Sequence, residues 1–322
     1  MHTITQLGPN SFTLGCDAFA DIIPAFEDLF TNQTTGWSIY DSASNGLPST
    51  DLVVRSLCAD GVFYKYAGVS VALNGRLRID GYESWNNSTH VGTNRTHGSQ
   101  QDGMLPPVST LTSFYIHVFV NPRWFAICVE DPANIVININ NDGQGIFGIF
   151  EISRDHPGNT VGLGELPFIY LHTGSISNTG KIANSNGSIC KPRIAAATGL
   201  NARCCIGYLF GLMVHDNATY KMSRNWPTNA LTDPFTGDHF ALELYCFIGN
   251  NIATPEFDGR VYGLKASGRN YAAQSFLDIL SVDCDAEYFG NAAGSPTDHL
   301  VVITAFANGE VNRNNGRLLI PR

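Results

Sequence analysis

The chain has 322 residues, 43% of them apolar, 11% aromatic and 15% charged, with a net charge of −9 and a pI near 5.4. Its aromatic content excludes a disordered chain, which combines few aromatics with high net charge. Five lysines and the scattered arginines Arg123, Arg193, Arg203, Arg224 and Arg260 exclude a nucleic-acid surface, because phosphate affinity comes from clustered cations that release counterions.

The opening Met1-His2-Thr3-Ile4 has no basic stretch followed by an apolar run, and nowhere do ~18 apolar residues follow one another. The expectation is a protein without export signal or membrane span that folds in a cytoplasm. The missing charge is replaced by Asn, Gly, Ser and Thr, a composition suited to turn-rich β structure and to surfaces covered by neighbours.

The first periodic segment is helical. Phe19, Ile22, Ile23, Phe26, Leu29 and Phe30 recur at spacings of three and four, which line one helix face. A short helix over about 22–30 is predicted, with Pro24 in its first turn and Asp21 as N-cap.

Most of the remainder reads as short aromatic and β-branched strands. In order these are Trp37–Tyr40, Leu52–Ser56, Val62–Leu73, Arg76–Gly81, Phe114–Val120, Trp124–Val129, Ile135–Ile139 and Ile146–Ile152. Then come Phe168–His172, Cys205–Val214, Phe240–Ile248, Arg260–Lys265, Phe276–Val282, Leu300–Phe306 and Leu318–Ile320. Asn-Gly and Asp-Gly steps punctuate them and favour tight turns. The clearest hairpin is Val69–Asp80 around Asn74-Gly75, and Asn121-Pro122 marks another. Residues 85–110 and 174–203 read as long polar loops, a kind that usually carries binding.

The predicted fold is mainly β: one or two antiparallel β-sandwich or barrel-like domains with one short N-terminal helix and long polar loops. The expected division is an N-terminal β-rich domain over 1–140 and a C-terminal one over 141–322.

Leu52-Val-Val-Arg55-Ser56, Val62-Phe-Tyr64-Lys-Tyr66 and Tyr82-Glu-Ser-Trp85-Asn86 through Thr89-His90-Val-Gly92-Thr93-Asn94 form a pattern that resembles virion proteins of tailed bacteriophages. Phe147-Gly148 through Glu151 to Arg154, Asp258-Gly259 through Tyr262-Gly263 to Lys265, and Arg317 to Pro321 are similar to further stretches of those proteins. The resemblance implies a structural component of the neck, tail or baseplate. Such a component works by assembly with itself and other virion proteins, is a homo-oligomer in place, is made in the host cytoplasm, and has no enzymatic activity or cofactor. A carbohydrate-binding, receptor-binding or glycan-cleaving β-domain on the particle is the alternative.

No local motif argues for catalysis. Asn138-x-Asn140-x-Asp142-Gly143 opens like a calcium loop, but the position that requires a bidentate Glu is Ile149 and the first ligand is neutral, so a strand end and turn is expected. Cys204-Cys205 and His215 would be ~33 Å apart on an extended strand, too far for a thiol–base pair. The eight cysteines, Cys16, Cys58, Cys128, Cys190, Cys204, Cys205, Cys246 and Cys284, include no CxxC pair and read as buried thiols, not as zinc ligands. His90 and His97, with Trp85, sit in the first long loop without a third ligand. Glu83, Glu151 and Glu243, in strand-like context, are the carboxylates considered for glycoside hydrolysis, and nothing local singles out one pair. Trp37, Trp85, Trp124 and Trp226 are too dispersed to define a sugar platform.

Overall fold

The computed structural model describes residues 1–71, 76–93, 104–107, 114–130, 147–153, 168–172, 188–190, 203–207, 241–249, 256–267, 277–280, 299–303 and 317–321. In chain order the elements are β1 (His2–Gly8), β2 (Ser11–Cys16), α1 (Ile22–Asn32), β3 (Ser38–Asp41), β4 (Asp51–Leu57), β5 (Tyr64–Val71), β6 (Arg76–Tyr82), β7 (Ser84–Asn86), β8 (Val91–Thr93) and β9 (Met104–Pro107). They continue with β10 (Phe114–Asn121), β11 (Trp124–Glu130), β12 (Phe147–Glu151), β13 (Phe168–His172), β14 (Ser188–Cys190) and β15 (Arg203–Gly207). The last are β16 (Ala241–Gly249), β17 (Glu256–Ser267), β18 (Leu277–Leu280), β19 (His299–Ile303) and β20 (Arg317–Pro321). The protein is mainly β, with antiparallel pairing throughout these strands.

Among the described residues there are three larger sheets: β1-β2-β10-β11-β12-β13-β14, β3-β4-β5-β6-β9 and β15-β16-β17-β20-β19-β18. The seven-stranded sheet takes strands from both sides of the expected division at 140/141, because β11 pairs directly with β12. Hydrogen bonding is therefore continuous across that division. The predicted strand Ile135–Ile139 lies outside the described residues.

The first two sheets face each other across one apolar core. Alternation sends Phe12, Leu14, Ile116, Val118, Val120, Phe125, Ile127 and Ile149 inward from one side. Leu52, Val54, Ala67, Val69, Leu77 and Ile79 meet them from the other. Helix α1 contacts β1 and β2 of one sheet and β3, β4 and β5 of the other, and buries Ile22, Ile23, Ala25, Phe26, Leu29 and Phe30. Its rings lock edge-on: the Phe125 centroid is 6.1 Å from Phe26 and 5.3 Å from Phe30.

Asp21 stands at the N-cap position of α1 as predicted, but it does not cap the helix with its side chain. A 3₁₀ turn over Phe19–Asp21 leads in, so Asp21 is already in the helical region, and its carboxylate accepts from the Ala18 N–H at 3.1 Å.

Two strands absent from the prediction, β1 and β2, form the first hairpin. The long loop predicted over 85–110 is interrupted by strand at β7, β8 and β9, and that over 174–203 by β14 and the first residue of β15. The Asn121-Pro122 turn is a tight one: Asn121 pairs with Trp124, and its Oδ1 accepts from the N–H groups of Arg123 (2.7 Å) and Trp124 (3.3 Å). For the Val69–Asp80 hairpin the flanking pairing runs from Tyr66↔Tyr82 to Val71↔Leu77, and its turn lies outside the described residues.

At one end of the core the two sheets are joined by polar groups. Lys65 projects inward from β5, and its Nζ lies 3.2 Å from Glu151 Oε2 on β12; both side chains are at most 3% exposed. Glu151 Oε1 accepts from the Ala59 N–H at 2.8 Å, and Lys65 Nζ sits 5.4 Å above the Trp37 ring. The Trp37 indole donates to the Asn121 carbonyl at 2.7 Å, and Ser56 Oγ bonds the carbonyls of Gly36 (2.8 Å) and Pro122 (3.0 Å). Gly36 has φ +76, and a Cβ there would lie 2.4 Å from Pro122 Cγ, so this crossing requires glycine.

Removing one partner of such a pair strands the other charge in the core. Lys65→Met is expected to cost about 3–5 kcal/mol, read by denaturant unfolding. Lys65→Met combined with Glu151→Gln is expected to cost less than Lys65→Met alone, because the amide still accepts from Ala59 and carries no charge. Equal or larger loss in the double variant contradicts the pairing.

Candidate functional site

The residues of β3–β6 that alternate away from the core build a polar aromatic face. Register sets its rows. Arg55 lies opposite Tyr66, and Tyr66 opposite Tyr82; the next row is Val53, Gly68 and Asp80, and the next Asp51, Ser70 and Arg78. A bulge between Ile39 and Asp41 swings Tyr40 towards the first row.

Arg55 is the hub of this face. Its guanidinium carbon lies 4.3 Å from the Tyr40 ring centroid and 4.8 Å from that of Tyr64. Tyr40 meets Tyr66 edge-on at 5.3 Å, while Tyr64 remains 40% exposed. A planar cation held against two rings has few free rotamers left to lose when a partner arrives.

A small hairpin, β7–β8, closes the neighbouring side. Its Trp85 meets Tyr82 edge-on at 5.0 Å and donates its indole N–H to Asp41 Oδ2 at 2.7 Å. His90 Nδ1 lies 2.8 Å from the same oxygen, and the Asp41 side chain is fully buried. His90 has φ +55, a conformation that costs a non-glycine residue energy and that the Asp41 contact helps to hold. Gly92 is packed against Tyr82 so closely that a Cβ would fall 2.2 Å from Cδ1. Burial pushes the Tyr82 phenol up, well above its ordinary range.

Beside them, Arg78 Nη2 donates to Asp80 Oδ1 at 3.0 Å, and Arg78 Nε lies 2.6 Å from Oδ2. Burial outweighs this cation and pushes the Asp80 carboxyl up to about 7.

The residues singled out from the sequence fall in different places. Trp85 and His90 reach this face as partners of Asp41. Glu83 bonds through its backbone N–H to the Thr93 carbonyl at 3.2 Å. Glu151 belongs to the core ion pair, and no group of three or more potential metal ligands occurs among the described residues. Trp37 and Trp124 are core residues, and Ile149 is fully buried in β12. Cys16 and Cys58 are buried, and burial pushes the Cys16 thiol up to about 12. Cys204 and Cys205 lie on β15 and Glu243 on β16, opposite Lys265. His97, Asn138, Asn140, Asp142, Gly143, His215 and Trp226 lie outside the described residues.

Tyr40, Asp41 and Arg78 were not singled out by sequence. The alternation Tyr64-Lys65-Tyr66 was the available signal for the face, since it places both tyrosines opposite to the lysine. No family model matches the chain, and no curated protein matches it.

Asp80 makes stability depend on pH in a defined direction. With its native value near 7 and an unfolded value of ~3.9, the folded protein binds the extra proton between them. Its contribution is complete below ~4 and is lost as pH rises through ~7. Asp80→Asn removes this dependence, so unfolding midpoints at about pH 4.5 and about pH 7.5 should move in the variant's favour at the higher value. A constant difference between the two proteins contradicts the shift.

Proposed function

We propose that the protein is a structural component of a bacteriophage virion, of the neck, tail or baseplate, and that it works by protein–protein assembly without chemical turnover. The observation that carries this reading is where the resemblance residues meet. Arg55, Tyr64, Tyr66, Tyr82, Trp85 and His90, drawn from three consecutive strands and the hairpin that follows, gather on the outer face of β3–β6 and its covering hairpin. Tyr, Trp and Arg are the side chains in which interface hot spots are richest, because they bring large contact area at small entropic cost. Here they stand on a sheet braced by a full core, which limits the ordering cost of docking. The partner this face fits is another virion protein, one that offers carboxylate or carbonyl acceptors to the Arg55 edge and apolar groups to Tyr64.

The glycan-binding alternative requires open ring faces on which a sugar can stack. Tyr40 and Tyr64 each have Arg55 against a face, and Tyr66 is 9% exposed. The arrangement therefore favours a protein partner over a sugar.

The test is incorporation. Particles grown with Arg55→Ala/Tyr64→Ala protein should carry less of it than wild-type particles, counted by quantitative mass spectrometry. Two hot-spot truncations of ~2 kcal/mol each weaken binding by roughly 30-fold apiece. The thermal midpoint should fall little, since neither side chain is in the core. Absence of the wild-type protein from purified particles, or equal incorporation of the variant, overturns the reading. Glycan binding that disappears with Tyr64→Ala would move the assignment to the alternative.

A further inference from the structure

Among the described residues, strand β1 ends the seven-stranded sheet and its ladder partner is β2. The regular part of this seven-residue strand, His2-Thr-Ile-Thr-Gln6, has no Lys, Arg, Asp, Glu or Pro. Proteins that stay single usually blunt such an edge with charge, proline or a very short strand, because unpaired amides and carbonyls invite another strand. The irregularity in the β1–β2 register, between Gln6 and Gly8, leaves the first part of the strand regular.

Side-chain alternation along β1 is equally permissive. Thr3 and Thr5 are exposed on one face, while Ile4 on the other is partly buried and packs against the core. The sequence is self-complementary in an antiparallel sense. Centred on Ile4, two copies would set Ile4 against Ile4, Thr3 against Thr5, and His2 against Gln6. Threonine pairs are favourable across strands, no like charges are opposed, and the two isoleucines would extend one core into the other. An antiparallel pair of identical strands has a twofold axis, the commonest symmetry of homo-oligomers.

We propose that β1 pairs antiparallel with β1 of a second copy about a twofold axis near Ile4, joining two seven-stranded sheets into one. This rests on the reading that the protein works by assembly, and it names a second copy as the occupant of this edge. The surface is distinct from the Arg55 face, so the same molecule can bind its copy at one place and a different protein at the other.

The test uses the purified full chain in solution. Wild-type protein should be dimeric by light scattering. Thr3→Lys/Thr5→Lys opposes two lysine pairs across the axis and should raise the dissociation constant about tenfold or more, with the thermal midpoint of the monomer retained. Thr3→Lys/Thr5→Glu places opposite charges across the same axis and should restore the dimer. Independently, Ile4→Cys should give, on oxidation, a disulfide linking position 4 to position 4, since facing strand residues bring Cα atoms to ~4.5–5.5 Å.

Wild-type protein that stays monomeric at all concentrations overturns the proposal, as does a dimer that survives Thr3→Lys/Thr5→Lys or yields no position-4 link. Any of these leaves the particle-incorporation result standing on its own. Conversely, a β1 dimer in protein absent from particles would sink the virion reading and keep the pairing.

Discussion

The contact between Lys65 and Glu151 fixes more of this protein than any other. A lysine without water must have a carboxylate beside it, and the only way Lys65 can reach Glu151 is by pointing into the space between the two sheets. Because side chains alternate along a strand, that single inward lysine sends Tyr64 and Tyr66 to the opposite face. A slip of one residue in β5 would bury two phenols and expose the lysine, so the ion pair penalises the wrong register heavily. The core lock and the aromatic face are thus two consequences of one tripeptide. The surrounding hydrogen bonds from Trp37, Ser56 and the Ala59 amide make the joint stiff by satisfying the polar groups that the crossing of the chains brings inside.

Much of this architecture was legible in the chain, and the failures have physical reasons. The helix was readable because Ile22, Ile23, Phe26, Leu29 and Phe30 all lie on one face, and the strands because turn residues bracket β-branched runs. The β1–β2 hairpin escaped because β1 is polar on both faces, an edge strand whose apolar signal rests on Ile4 and Leu7 alone. In the loop after Tyr82, β7 and β8 are three residues each, too short for any periodicity. What holds them is Asp41, a residue more than forty positions earlier, whose two hydrogen bonds with Trp85 and His90 no local pattern announces. The candidate face was half visible: Tyr64-Lys65-Tyr66 showed its alternation, but the row from Arg55 through Tyr66 to Tyr82 depends on the register of three strands. Asp21 illustrates the opposite limit, a correct position with a different hydrogen bond.

The scarcity of charge acquires a structural meaning from this layout. Arg55 stands between two tyrosines, Arg78 is tied to Asp80, and Arg123 lies 4.0 Å from the Tyr262 ring, so these cations organise aromatic and acidic neighbours in addition to solvating the surface. On the assembly reading proposed above, partners would cover the rest of such a surface, and the uncharged β1 edge follows the same pattern.

The central claim is that the outer face of β3–β6 is covered when the protein is at work. Hydroxyl-radical footprinting of the free protein and of intact particles measures this directly at the tyrosines. Tyr64, 40% exposed in the free chain, should label readily in solution and lose most of its labelling in the particle. The buried Phe125 should label poorly in both and serve as the internal reference. Equal labelling of Tyr64 in the two states would contradict the account.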